Sequence, residues 1–168
     1  MIDPAAFAFE HLFHLFQADE SAGLREWQGQ FDHALNNRPE QAAQLLRLVK
    51  ATPLSPLGQA IVCNDEARWL AQHGEWAAAE RSYRKALTLF EALDHRDGVR
   101  GAVGNLGLTY SERGLWEQAE SYHRRALALS HESGDESGVA AALNNLSIAQ
   151  REQGRWEEAA RQVRIVLD

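Results

Sequence analysis

A single cysteine, Cys63, is present in 168 residues, so no internal disulfide can staple the fold and stability must come from packing. That usage fits a reducing cytoplasm best. Proline is scarce too: all four lie at or before Pro56, leaving the rest of the chain free of the residue that most strongly breaks helices. No apolar run approaches the roughly 18 residues of a membrane span, because Arg, Glu, Gln or His interrupts each one, and no membrane partner is expected. The start, Met1-Ile2-Asp3-Pro4, lacks the basic region and long apolar stretch of a secretory leader. Positive charge is in deficit: 17 Lys plus Arg against 24 Asp plus Glu give a formal charge of −7, which repels phosphate backbones and anionic surfaces. The densest basic clusters, Arg81/Arg84/Lys85 and Arg124/Arg125, sit among acids on helix surfaces, so no nucleic-acid partner is expected either. A Gly-rich phosphate loop, a Gly-x-Ser-x-Gly elbow and a His-Glu-x-x-His stretch are all missing. His11 and His14 have no further Cys or His placed to complete a metal site. No catalytic residue, cofactor or metal is expected, and the chain reads as a non-enzyme.

What the sequence does have is a period. Gly74-Glu75-Trp76, Gly114-Leu115-Trp116 and Gly154-Arg155-Trp156 recur at intervals of 40 residues. Self-similarity at a few tens of residues marks units that bury their apolar faces only by stacking on neighbours. From Gly58 onward the pattern is helix, glycine turn, helix, three times over. In the middle unit Val103, Leu106, Gly107 and Tyr110 make one stripe, and Ala119, Tyr122, His123, Ala126 and Leu127 the next, at helical spacing. Each interhelical glycine reads as a C-terminal cap. Asp94-His95-Arg96-Asp97-Gly98 and Gly134-Asp135-Glu136-Ser137-Gly138 supply turn and N-cap residues between units. The predicted fold is an all-α solenoid of antiparallel helix pairs. Repeats span about 58–97, 98–137 and 138–168, behind an N-terminal helical cap over 1–57 that includes a degenerate repeat in one reading. Pro53-Leu54-Ser55-Pro56 marks the break.

These positions resemble tetratricopeptide repeats. The match runs through Val103, Leu106, Gly107, Tyr110, Gly114, Trp116, Ala119, His123 and Ala126, and again through Cys63, Ala67, Leu70, Gly74, Trp76, Ala79, Tyr83 and Ala86. The usual unit is roughly 34 residues; the 40-residue variant resembles the repeats of kinesin light chains, spindle-orientation adaptors and bacterial signalling proteins. Glu66 stands where Leu106 and Leu146 stand, and Gln150 where Leu70 and Tyr110 stand, so the outer units are less regular than the middle one.

On the first helix of each repeat, Ile61/Asp65/Arg68/Gln72, Gly101/Asn105/Leu108/Glu112 and Ala141/Asn145/Ile148/Glu152 each fall on one helical face. The resemblance implies that this face lines a concave groove, with Asn64, Asp65, Asn105, Asn144 and Asn145 gripping an extended peptide backbone. Arg68, Leu108, Glu112, Ile148 and Arg151 complete the candidate groove. Asn is a poor helix-interior residue, so its recurrence calls for a role, either here or in bonding to the neighbouring repeat. A cationic clamp for a terminal carboxylate is not expected, because Gly101, Ala141 and Asn145 stand where basic residues would be required. The three periodic tryptophans are expected in the core, pinning each turn, rather than as ligand platforms. Cys63 reads as a small buried apolar group.

The leading expectation is an interaction module that takes a peptide or partner helix in the groove. Two rivals are a bacterial signalling regulator with an N-terminal effector bundle, and a structural assembly unit using the solenoid ends. For the latter, Ile165 replaces the Lys85 and Arg125 of the inner repeats beside Val163 and Val166, which predicts a homodimer through the C-terminal repeat. A further repeat in a longer array would cover the same face.

Overall fold

The computed structural model describes the backbone of residues 4–167 and the side chains of residues 10–162 and of Arg164. Among the described residues there are nine helices. Three precede the repeats: α1 (Pro4–Ala18), α2 (Glu20–Asn37) and α3 (Pro39–Lys50). Three pairs follow: α4 (Pro56–Gln72) with α5 (Trp76–Ala92), α6 (Arg96–Glu112) with α7 (Trp116–Ser133), and α8 (Glu136–Glu152) with α9 (Trp156–Leu167). The fold is the expected all-α solenoid.

One turn device is used throughout. Gly74, Gly114 and Gly154 adopt φ values of 74°, 68° and 76°, a region that only glycine enters without steric penalty. The amide of the next residue then reaches back to the helix: Glu75 N to Leu70 O, Leu115 N to Tyr110 O and Arg155 N to Gln150 O, each 2.9 Å. This is the Schellman closure. The junctions between pairs repeat it with Gly134 at φ 68° and, less favourably, Asp94 at φ 50°. The following helices are capped by side chains: Ser55 Oγ accepts from Gly58 N, His95 Nδ1 from Gly98 N and Asp135 Oδ1 from Gly138 N.

Packing falls into two cores that meet at α4. Leu12, Phe16, Trp27, Phe31, Leu45 and Val49 build the first; its centre is the fully buried Trp27, stacked on Phe31 at 4.9 Å and donating Nε1 to Leu45 O at 3.0 Å. Tyr83, Phe90, Val103, Leu106, Tyr110 and Ala119 belong to the second. On α4, Val62 belongs to the cap core while Ala60, Cys63 and Ala67 belong to the repeat core. Polar bonds reinforce the joint: Glu20 accepts from Ser55 N at 2.9 Å, Gln28 donates to Asp65 at 3.1 Å, and Lys50 pairs with Glu66 at 2.6 Å. The N-terminal helices therefore pack onto the repeats.

The repeats are also latched to one another by a carboxylate. Glu80 on α5 accepts from the Tyr110 hydroxyl at 2.6 Å and from Arg113 at 2.7 Å, both at the end of α6. Its counterpart Glu120 on α7 accepts from Gln150 at 3.4 Å and Gln153 at 3.2 Å and pairs with Arg155. Burial works against the charge on both, but these donors more than offset it and hold both carboxyls below the usual range. Gln150, the departure from the family pattern, is thus buried at 1% exposure as a latch partner.

The periodic tryptophans are not core residues. Trp76 and Trp116 are half-buried and Trp156 is 65% exposed. Each opens its helix, where side chains tilt toward the N-terminus and away from the helix-pair interior. The indoles of Trp76 and Trp116 consequently lie over Gly74 and Gly114, and Ala79, Tyr83, Ala119 and His123 fill the interior instead.

Candidate functional site: the face of the first helices

The first helices lie side by side, α4 next to α6 and α6 next to α8, and α2 flanks α4 to extend the layer. Helical periodicity aims one face of each away from its partner, and this is where the candidate groove residues fall. Leu108 is 47% exposed, Glu112, Asn144 and Arg151 are exposed, and Asn64, Arg68, Asn105, Asn145 and Ile148 are half-buried. Asn105 Nδ2 donates to Asn64 Oδ1 at 3.3 Å across the repeat boundary. That bond uses one donor of Asn105 and the acceptor of Asn64, whose Nδ2 also donates to Asp65 Oδ1 at 3.5 Å, and it leaves the Asn105 side-chain oxygen and second amide hydrogen for another group.

Asp65 is placed differently. It is buried to 2% exposure, accepting from Gln28 at 3.1 Å and from Arg68 at 3.1 Å. Arg68 in turn holds Asp32 on α2 at 2.7 Å. Burial pushes the Asp65 carboxyl up, against the pull of Gln28 and Arg68. For Arg68, burial opposes the charge, and Asp32 and Asp65 more than offset it. This network seals the face at the first repeat and brings in Gln28 and Asp32, which lie outside the 40-residue period and were legible only through the amphipathic pattern of α2. Arg151 pairs with its neighbour Glu152 at 3.1 Å. The open stretch is therefore the middle and third repeats.

Its floor is unusual for a helix. An added Cβ at Gly101 or Gly104 would find nothing within 4 Å, although glycine inside a helix costs roughly 0.5–1 kcal/mol relative to alanine. By contrast, Gly107 on the packed side of α6 makes room for the His123 ring, whose nearest atoms a Cβ would approach to 2.6 Å. The two open glycines expose peptide backbone beside Asn105 and Leu108.

Residues 100–167 match the family model described as tetratricopeptide repeat. That stretch, the middle and third pairs, carries tetratricopeptide repeats. Solved structures agree on the fold. The TPR domain of Arabidopsis FLU superposes with a TM-score of 0.64 at 21% identity, covering 67% of this chain and 95% of that one. MamA gives 0.67 at 16% identity, covering 99% and 94%, and BtubC (BKLC) from P. vanneervenii gives 0.57 at 18% identity, covering 96% and 86%. Among curated protein sequences none matches this chain. Tetratricopeptide repeats as a class are protein-interaction scaffolds and not generally enzymes. Among the described residues, no group of three or more His, Cys, Asp or Glu could hold a metal ion, and no helix is long and apolar enough to cross a membrane. The expected interface residues Val163, Ile165 and Val166 lie outside the described side chains.

Proposed function

We propose that this protein is a non-catalytic interaction module that receives an extended peptide or partner helix on the face of its first helices, over the middle and third repeats. The observation that carries the reading is the juxtaposition of open backbone at Gly101 and Gly104 with Asn105 and the exposed Leu108. Amides that offer both donor and acceptor suit a peptide backbone, and Leu108 with Ile148 offers an apolar seat. A reducing cytoplasm belongs to the same reading, which the lone buried Cys63 supports. The packing of α2 and α3 onto α4 favours a cap over a free-standing effector bundle.

The test is a pull-down with the full chain, followed by calorimetric titration of the partner recovered. Gly104→Arg fills the face while meeting no neighbour, so it should leave the melting temperature unchanged or raised and abolish binding. Binding that survives the arginine overturns the reading. A second reading, self-association through the third repeat, is favoured by the 65% exposure of Trp156. Light scattering tests it: a dimer that dissociates on Ile165→Lys supports it, and a monomer across micromolar concentrations refutes it.

A further inference from the structure

A cleft lies where the cap meets the first repeat. The end of α3, the following loop, α4 and α5 leave a cleft of about 640 Å³, within the range of pockets that hold ligands. Its origin is legible in the repeat register. Gln59, Cys63, Glu66 and Ser82 line it, and 40 residues on stand Val99, Val103, Leu106 and Tyr122. Of these Val99, Val103 and Leu106 are buried and Tyr122 is half-buried. The middle repeat thus fills with apolar side chains a slot that the first repeat leaves to smaller or polar ones.

The cleft has an apolar floor and a cationic rim. Val49 and Val62, at 0% and 4% exposure, lie beneath it. Lys50, Arg81 and Lys85 stand around it, all exposed. Glu66 is the one acid in the lining, and Lys50 already engages it at 2.6 Å. Lys85 has lost the partner its counterpart keeps: Arg125 pairs with Glu91, whereas the residues 40 and 41 positions before Glu91 are Ala51 and Lys50. A chain of net charge −7 therefore presents a local excess of positive charge over apolar surface. Arg81 and Lys85 are one turn apart on α5, so they match carboxylates spaced along a chain better than a single small anion.

We infer that this cleft is a second binding site, for an acidic peptide segment that seats an aliphatic side chain on Val49 and Val62 and sets flanking carboxylates against Arg81 and Lys85. The site is separate from the face of the first helices. At 100° per residue, Gln59, Val62, Cys63 and Glu66 point roughly 140° away from Ile61, Asp65, Arg68 and Gln72 on α4.

Fluorescence anisotropy with the full chain at low salt tests it. The probe is a labelled short peptide with one leucine between pairs of glutamates; its control replaces the leucine by serine. The leucine peptide should bind saturably and the control at least about tenfold more weakly. The double variant Arg81→Glu/Lys85→Glu should weaken the leucine peptide by about tenfold or more, because opposed charges become like charges. Ser82→Tyr, which restores the middle repeat's residue and leaves every charge in place, should weaken it similarly, while Gly104→Arg should leave it unchanged. Helical circular dichroism confirms that each variant is folded. Absence of saturable binding, equal binding of the serine control, or binding indifferent to both the charge reversal and Ser82→Tyr overturns the inference. Weakening by Gly104→Arg overturns it too, by placing the peptide on the face of the first helices; the other outcomes do not bear on that face.

Discussion

His123 governs how the middle repeat answers to acid. Its ring is 1% exposed, packs against Gly107 and bonds the Ser111 hydroxyl at 3.1 Å. Burial pushes its pKa down from 6.5 to about 4. The unfolded chain therefore takes up this proton at a higher pH than the folded one, so the stability contributed by neutral His123 is complete above pH 6.5 and is lost as pH falls toward 4. Between pH 7 and pH 5 the loss should be about 2 kcal/mol. Urea denaturation at the two pH values checks this, and His123→Phe should remove most of the difference. Tryptophan offers a sharper contrast. Trp27→Ala empties a fully buried site and should cost about 3–5 kcal/mol, whereas Trp116→Ala removes a half-buried ring outside the core and should cost well under half as much. Thermal melts of the two variants decide the ranking. The interval of the three periodic tryptophans was plain in the sequence but their surroundings were not, because a residue that opens a helix belongs by spacing to the apolar stripe and by geometry to the turn. Cys63, at 9% exposure, is where its stripe put it.

At the scale of elements, the helix pairs were legible because glycine in a left-handed turn leaves a fixed signature, and Gly74, Gly114 and Gly154 all carry it. Asp94 performs the same turn without that signature. The α2–α3 pair and its contributions from Gln28 and Asp32 escaped the period because Ala34 and Asn36 stand where the 40-residue register would put the Gly and the Trp. What no spacing could reveal was the latch between elements. Glu120 looks like any surface acid of a helix, yet its side chain is 6% exposed beneath Gln150, Gln153 and Arg155. Glu120→Ala should destabilise by about 1–3 kcal/mol, since it removes the buried acceptor shared by Gln150, Gln153 and Arg155 and leaves Gln150 only its bond to Glu158. Hydrogen exchange should show the loss concentrated where α7 meets α8, and uniform loss across all helices would contradict the latch. The position 40 residues after Glu120 is Ala160, so the third pair does not carry this carboxylate.

For the whole molecule, stability is a chain of nearest-neighbour interfaces rather than one central core. A chain beginning at residue 53 loses the cap, exposes Val62 and frees Asp65 and Arg68 from Gln28 and Asp32. It should remain helical but melt lower than the full chain, and an unchanged melting temperature would mean that the cap and repeats are energetically independent. The net charge of −7 excluded nucleic acid as an expected partner from composition alone, but it concealed the basic rim of Lys50, Arg81 and Lys85, because a sum over the chain carries no information about where charges meet. The sharing of α4 between two cores has a mechanical consequence. Pulled from its two ends, the chain transmits load through a helix that is keystone to both halves, so extension should proceed by fraying inward from either end until α4 itself gives way, and a single-molecule force trace should show its release as the last cooperative rip.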